Sequence, residues 1–237
     1  MSDNLAANKL AFEKLEKPKA VIFDWDNTLI NSWPLIHYAI DETMEAMGKE
    51  KWGGKKVRET IHKSMRESFP AIFGNKWQEA GKIYKDSYNK VSNSAKLLPG
   101  SADLIKALSN ANILLFVVSN KFGSNLRKEV QELNLEKYFF SVIGAQDANA
   151  DKPSRDPVDL ALMGSQIDPA KDLVYFIGDT VADIECAYNS SCKPIIFSDQ
   201  EGQISKTFPE HLVANGREGS GAIPVYFNHN DLIAKLT

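Results

Sequence analysis

From residue 98 onward the chain alternates short apolar runs with segments of helical period, and this alternation constrains the fold most. The runs at 113–118, 140–143, 173–177, 194–197 and 224–227 are rich in β-branched and aromatic residues and have the length of buried strands. Between and after them, 101–108, 125–133, 157–164, 183–188 and 232–236 read as helices. Ser101 stands where an N-cap is expected, and 125–133 is read with its Lys and Glu on the outer face. Strands separated by helices cannot close as hairpins. The expected fold class is therefore α/β, a Rossmann-like parallel sheet covered by helices on both faces.

One further strand, Val21-Ile22-Phe23, precedes this series, entered through Pro18 after a polar leader at 1–17. The pattern is then interrupted. Residues 31–95 show helical spacing instead, as in Ile40, Met44 and Met47, with Gly53-Gly54 and Pro70 with Gly74 as punctuation. The organisation expected is an α/β core from 18–30 and 96–237, and an all-helical cap from 31–95. An insert directly after the first strand would sit over the carboxyl ends of the strands, where open α/β sheets bind ligands.

Those strand ends carry the chemistry. The first strand runs into Asp24-Trp25-Asp26-Asn27-Thr28, and two acids in so small a space call for a cation between them. The run at 113–118 ends in Ser119-Asn120, a hydroxyl followed by a backbone N–H that can hold phosphate oxygens. Lys152-Pro153 follows the strand at 140–143 through a polar loop, and a lysine there can neutralise phosphate or a carboxylate cluster. Gly178-Asp179-Thr180-Val181-Ala182-Asp183 closes the series, with two acids spaced i, i+4 on a turn entering a helix.

In order and residue type, these four segments resemble the haloacid dehalogenase-like hydrolase superfamily, over about residues 18–236. The helical insert resembles that of its phosphoglycolate phosphatase-like branch. The resemblance implies a Mg²⁺-dependent phosphatase acting on a small phosphorylated metabolite, phosphoglycolate-like or a sugar phosphate, through an aspartyl-phosphate. Asp24 would be the nucleophile. Asp26 would protonate the leaving group and then deprotonate water. The metal would be held by Asp24, the Asp26 carbonyl, Asp179 and Asp183, the last through water or from further out. Ser119, Asn120 and Lys152, with backbone amides near Trp25 and Asn120, would bind phosphate oxygens. Branch members often show Lys-Pro-x-Pro, whereas Lys152-Pro153 is followed here by Ser154-Arg155-Asp156-Pro157, which leaves the role of Arg155 open.

Rival readings sit close by. A dehalogenase would not need Asp26. A phosphonate-cleaving relative would use a cap lysine, for which Lys49, Lys51, Lys55 and Lys56 are candidates, and a sugar phosphomutase would differ mainly in the cap. A binding or regulatory protein with a dead site would be expected to have lost one of the acids. His37, Arg58, Arg66 and Arg155 are candidates for a second anionic group, and Trp33, Trp52 and Trp77 are read as cap core.

Composition removes other classes. With 28 basic and 31 acidic residues, the net charge of −3 does not suit a general nucleic-acid binder. The leader lacks an apolar h-region, and the longest apolar stretch, 113–118, is too short to span a bilayer, so no membrane role is expected. Cys186 and Cys192 read as reduced thiols of a cytoplasmic protein. His37, His62, His211 and His229 read as surface or ordinary core residues. A monomer and a homodimer are both compatible with the sequence.

Overall fold

A computed structural model of the chain describes residues 15–61, 64–198, 207–215 and 221–237. Its strands are β1 (Ala20–Phe23), β2 (Ile30–Asn31), β3 (Lys96–Leu97), β4 (Leu114–Phe122), β5 (Ser141–Ala145), β6 (Val174–Gly178), β7 (Lys193–Phe197) and β8 (Val225–Tyr226). The α-helices are α1 (Trp33–Ala46), α2 (Gly53–Thr60), α3 (Met65–Phe73), α4 (Trp77–Val91), α5 (Ser101–Asn110), α6 (Gly123–Glu132), α7 (Asp156–Leu162), α8 (Val181–Asn189), α9 (Glu210–Asn215) and α10 (His229–Leu236). Most of the polar leader, His62 and the side chain of His211 lie outside the described residues.

Six strands form one sheet in the order β5-β4-β1-β6-β7-β8, with every neighbouring pair parallel. All four residues of β1 are fully buried, and their alternation serves two cores. Val21 and Phe23 face one cluster with Leu104, Leu126 and Leu232, while Ala20 and Ile22 face another with Val158, Ala161 and Ala187. The first core is thus closed by α5, α6 and α10, the second by α7 and α8. Burying a side chain such as Ile22 contributes about 1.5–3 kcal/mol. These apolar faces make β1 the centre of the sheet.

The connections step from β1 to β4 and β5 on one side, then to β6, β7 and β8 on the other. The carboxyl end of β1 is therefore the switch point at which such sheets bind ligands. Phe23 pairs with Val117 on one side and Ile177 on the other. Asp24, Ser119 and Asp179 consequently lie just beyond these paired positions.

Several local expectations need correction. β4 continues beyond 118 to Phe122, with a register shift between Val118 and Phe122, because Phe122 regains a partner in Ala145. Ser101 is not the N-cap. Gly100 takes that position at φ 84°, and the Ser101 hydroxyl donates to the Leu29 carbonyl at 2.8 Å. Pro70 lies inside α3 and does not end it; the helix stops at Gly74, whose φ of 58° favours glycine. The two-residue antiparallel ribbon of β2 and β3, pairing Ile30 with Leu97 and Asn31 with Lys96, is too short to show a period in sequence. It ties together the two chain crossings that bracket α1–α4.

Helices α1–α4 pack around a core of their own, including Leu35, Ile40, Val57, Phe69 and Phe73. Trp52 and Trp77 pack against it as expected, whereas Trp33 lines the central cavity. The two cysteines are free and buried.

Candidate active site

Asp24 leaves β1 with its backbone N–H donated to the Ile177 carbonyl at 2.9 Å, so the sheet itself fixes its backbone. Lys152 meets it from the loop after β5. The Lys152 ammonium donates to Asp24 Oδ1 at 2.5 Å, to Asp183 Oδ1 at 2.6 Å and to the Val118 carbonyl at 2.9 Å. Asn120 explains how a loop lysine is held so firmly: its side-chain oxygen accepts from the Lys152 N–H and its NH₂ donates to the Lys152 carbonyl, both at 3.0 Å. The Asn120 side chain is thereby occupied. Its backbone amide, the group expected to bind phosphate, is a separate donor from these contacts.

Asp183 is buried on the first turn of α8. Its Oδ2 accepts from the Thr180 N–H at 2.9 Å and from the Thr180 hydroxyl at 2.6 Å. Thr180, not Asp183, is the N-cap. Gly178 permits this approach: a Cβ there would stand 2.4 Å from Asp183 Cγ. Asp179 lines the cavity beside these groups, with the Thr28 hydroxyl 3.5 Å from its Oδ1.

Carboxylate oxygens of Asp24, Asp179 and Asp183 lie within 4.8 Å of one another. Burial pushes the Asp24 carboxyl up to about 7, against the pull of Lys152 and with the charges of Asp183 and Asp26 adding to the rise. Enclosure, then the charges of Asp24 and Asp183, raises Asp179 well above the carboxylate range. Burial alone would lower Lys152, but Asp183 and Asp24 outweigh it and hold the ammonium charged. One lysine among three crowded acids leaves excess negative charge where their carboxylates meet.

Asp26 faces elsewhere. Its Oδ1 accepts from Lys121 Nζ at 2.6 Å, and the same ammonium donates to Glu129 Oε2 at 2.7 Å. Glu129 also accepts from Trp25 Nε1 at 2.8 Å and from the Tyr88 hydroxyl at 2.9 Å. The Glu129 side chain is fully buried, so the outer-face reading of α6 is wrong at this position. The helical period held the signal, since Glu129 is three residues after buried Leu126 and next to buried Val130. Lys121 was missed although it directly follows Ser119-Asn120. Ser119 itself is buried at the cavity, and its Oγ accepts from the Lys121 N–H at 3.3 Å.

Residues 21–197 match the family model for haloacid dehalogenase-like hydrolases. The chain belongs to the haloacid dehalogenase-like hydrolases. Among relatives of this family, it is 30% identical over 189 residues to phosphoglycolate phosphatase of Aquifex aeolicus, covering 74% of this chain and 82% of that one. A haloacid dehalogenase-superfamily hydrolase from Ehrlichia chaffeensis is 29% identical with a TM-score of 0.61, covering 94% of this chain and 98% of that one. The fold is also that of a haloacid dehalogenase-like family protein from Streptococcus pneumoniae, at 22% identity, TM-score 0.74 and coverage of 92% and 98%.

In this haloacid dehalogenase-like hydrolase, the cavity has a volume of about 190 Å³ and lies between the strand ends and α1–α4. Arg58 and Arg66 both line it. The Arg58 guanidinium lies 5.2 Å from the centroid of the Trp33 ring. Arg66 donates to the Asn149 carbonyl at 3.2 Å and sits 3.4 Å from Asp151 Oδ2. His37 pairs with Asp41 at 2.9 Å, and Arg155 pairs with Asp159 on the surface at 2.8 Å; neither lines the cavity. Lys49, Lys51, Lys55 and Lys56 do not line it either. Among the described residues no helix is long and apolar enough to cross a membrane.

Proposed function

We propose that this protein is a phosphatase that hydrolyses a small phosphorylated metabolite through an aspartyl-phosphate on Asp24. The observation carrying this reading is the convergence of Asp24, Asp179 and Asp183 with the buried Lys152 at the switch point of the sheet. The hard oxygen donors suit Mg²⁺, and three acids converging on one ammonium leave negative charge for a cation to offset. Asp24, Asp179 and the Asp26 carbonyl would hold the ion. Asp183, with both oxygens already engaged, fits a place outside the inner ligands. When bound, Mg²⁺ neutralises charge building on the phosphoryl oxygens.

The chain's own groups do the rest. Lys152 anchors Asp24 Oδ1, leaving Oδ2 to attack phosphorus. As the Asp24–phosphorus bond forms, the bond to the leaving oxygen breaks, and Asp26 gives that oxygen a proton. Water then attacks phosphorus and passes a proton to Asp26, releasing orthophosphate and restoring the Asp24 carboxylate. The Ser119 hydroxyl and the Asn120 N–H bind non-bridging oxygens, and Lys152 offsets their charge.

The helices α1–α4 act as a cap that supplies specificity. A cavity of about 190 Å³ is small beside ligand pockets of about 300–1,000 Å³ and favours a compact substrate. Arg58 offers a cation for a second acidic group, in keeping with a phosphoglycolate-like ester or a sugar phosphate. The test is turnover by Asp24→Asn of a panel of phosphorylated metabolites with Mg²⁺. The reading expects loss of turnover on every ester, and wild-type-like turnover would refute it.

A further inference from the structure

The contacts of Asp26 define a second buried cluster beside the first. Lys121 and Glu129 have side chains 5% and 0% exposed, and the Asp26 side chain is 20% exposed, on the cavity side of the pair. Burying the charges of Lys121 and Glu129 costs desolvation, which is offset only when the geometry is good and their remaining hydrogen-bonding sites are filled. Here they are filled. Glu129 Oε2 takes both Lys121 and Trp25, and Oε1 takes the hydroxyl of Tyr88. The Lys121 ammonium also lies 4.7 Å from the centroid of the Tyr88 ring. Tyr88 belongs to α4, whereas Asp26, Lys121 and Glu129 belong to the α/β core. The hydrogen-bonded chain Asp26–Lys121–Glu129–Tyr88 therefore spans both parts of the molecule.

A proton-transfer group must be held within hydrogen-bond reach of the atom it serves. Asp26 lies in a tight turn and is paired with Ile30 only through an isolated bridge, so its backbone does not fix its side chain. Lys121 does so by fixing Oδ1, which leaves Oδ2 for the substrate. Lys121 itself has a long, flexible stem, and Glu129 immobilises it. Resting on the phosphatase reading above, we propose that Lys121, clamped by Glu129, is the positioning residue for Asp26, and that the Tyr88–Glu129 hydrogen bond makes this position depend on the seating of the helical block. The relay then couples proton transfer to the part of the protein that surrounds the substrate.

The test uses two esters with different leaving groups, in the full chain with Mg²⁺. Ethyl phosphate needs its leaving oxygen protonated, whereas p-nitrophenyl phosphate departs as a stable phenolate. General acid catalysis is worth about 10²–10⁴-fold, so Lys121→Met should lower kcat/KM, which reports transfer to Asp24 and not the hydrolysis step shared by both esters, by about 30–100-fold for ethyl phosphate and by less than about 5-fold for p-nitrophenyl phosphate. Lys121→Arg should restore part of the ratio between the esters. Tyr88→Phe should lower the same ratio by about 3-fold or more, with kcat/KM for p-nitrophenyl phosphate little changed. If Lys121→Met fails to fold, the charge-balanced pair Lys121→Met with Glu129→Gln serves in its place. Equal losses of kcat/KM on both esters, which leave the ratio unmoved, would overturn the positioning role. Asp24→Asn is the control for the underlying reading. If it retains turnover, the phosphatase mechanism fails; if it is inactive while the ester ratio of the Lys121 variants is unmoved, only the positioning role fails.

Discussion

Lys152→Met removes one ammonium and little volume, and its consequence follows from the contacts. Wild-type Lys152 offers hydrogen bonds to Asp24, Asp183 and the Val118 carbonyl, with both carboxylate side chains under 8% exposed. Hydrogen bonds to charged groups are worth about 1.5–3 kcal/mol each, so simple summation would overstate the loss. Protonation absorbs part of it, since Asp24 already lies at about 7. Breaking a buried ion pair from one side costs about 3–5 kcal/mol, and we take that range. For a chain of this size it corresponds to a fall in Tm of about 6–20 °C. The assay is thermal unfolding in EDTA and in Mg²⁺. The variant should unfold well below wild type in EDTA. It should also gain more from Mg²⁺, because the competing ammonium has gone and a ligand at 100 times its Kd adds about 2.7 kcal/mol. Coincident unfolding of variant and wild type in EDTA would refute the claim that Lys152 holds the carboxylates together.

Other outcomes follow from the same geometry. Gly178→Ala places a methyl 2.4 Å from Asp183 Cγ, so it should cost about 1–3 kcal/mol by chemical denaturation and reduce turnover through displacement of Asp183. Arg58→Ala should raise KM by about 10-fold or more for phosphate esters carrying a carboxylate, and less for p-nitrophenyl phosphate, as measured by initial rates. His229 is buried with its ring nitrogens 2.9 and 2.8 Å from the carbonyls of Pro99 and Thr28, the two crossings flanking the helical block. Burial holds its pKa below the ordinary 6.5 despite both carbonyls. The folded state thus refuses a proton that the unfolded chain accepts, so the stability is full above pH 6.5 and declines as pH falls through the lowered value. Replacing His229 with Gln should flatten the stability profile just below pH 6.5 by up to about 1.4 kcal/mol per pH unit in urea titrations.

Asp24, Ser119, Asp179 and Asp183 were legible because each stands directly beyond an apolar run or just inside the helix after it, and parallel pairing carries those ends to one place. Lys152 was legible by type and by order, but the sequence held no sign that Asn120 would grip its backbone from both sides. The second cluster was harder to see. Glu129 looks like any helix-surface acid until its position next to Val130 is followed around the helix. Tyr88 reaches Glu129 only through packing of α4 on the core. The β2–β3 ribbon and the extension of β4 through polar Ser119, Asn120 and Lys121 depend on strand partners, and no local preference announces them.

The central claim is that Asp24 becomes phosphorylated during turnover. Rapid acid quench of the wild-type protein turning over a phosphate ester with Mg²⁺, followed by borohydride reduction and peptide mass mapping, tests it directly. An aspartyl-phosphate at Asp24 is reduced to homoserine at that position, and Asp24→Asn yields none; this is the predicted result. Active turnover with no reduced residue at position 24, or with the phosphate trapped on another side chain, would contradict the account.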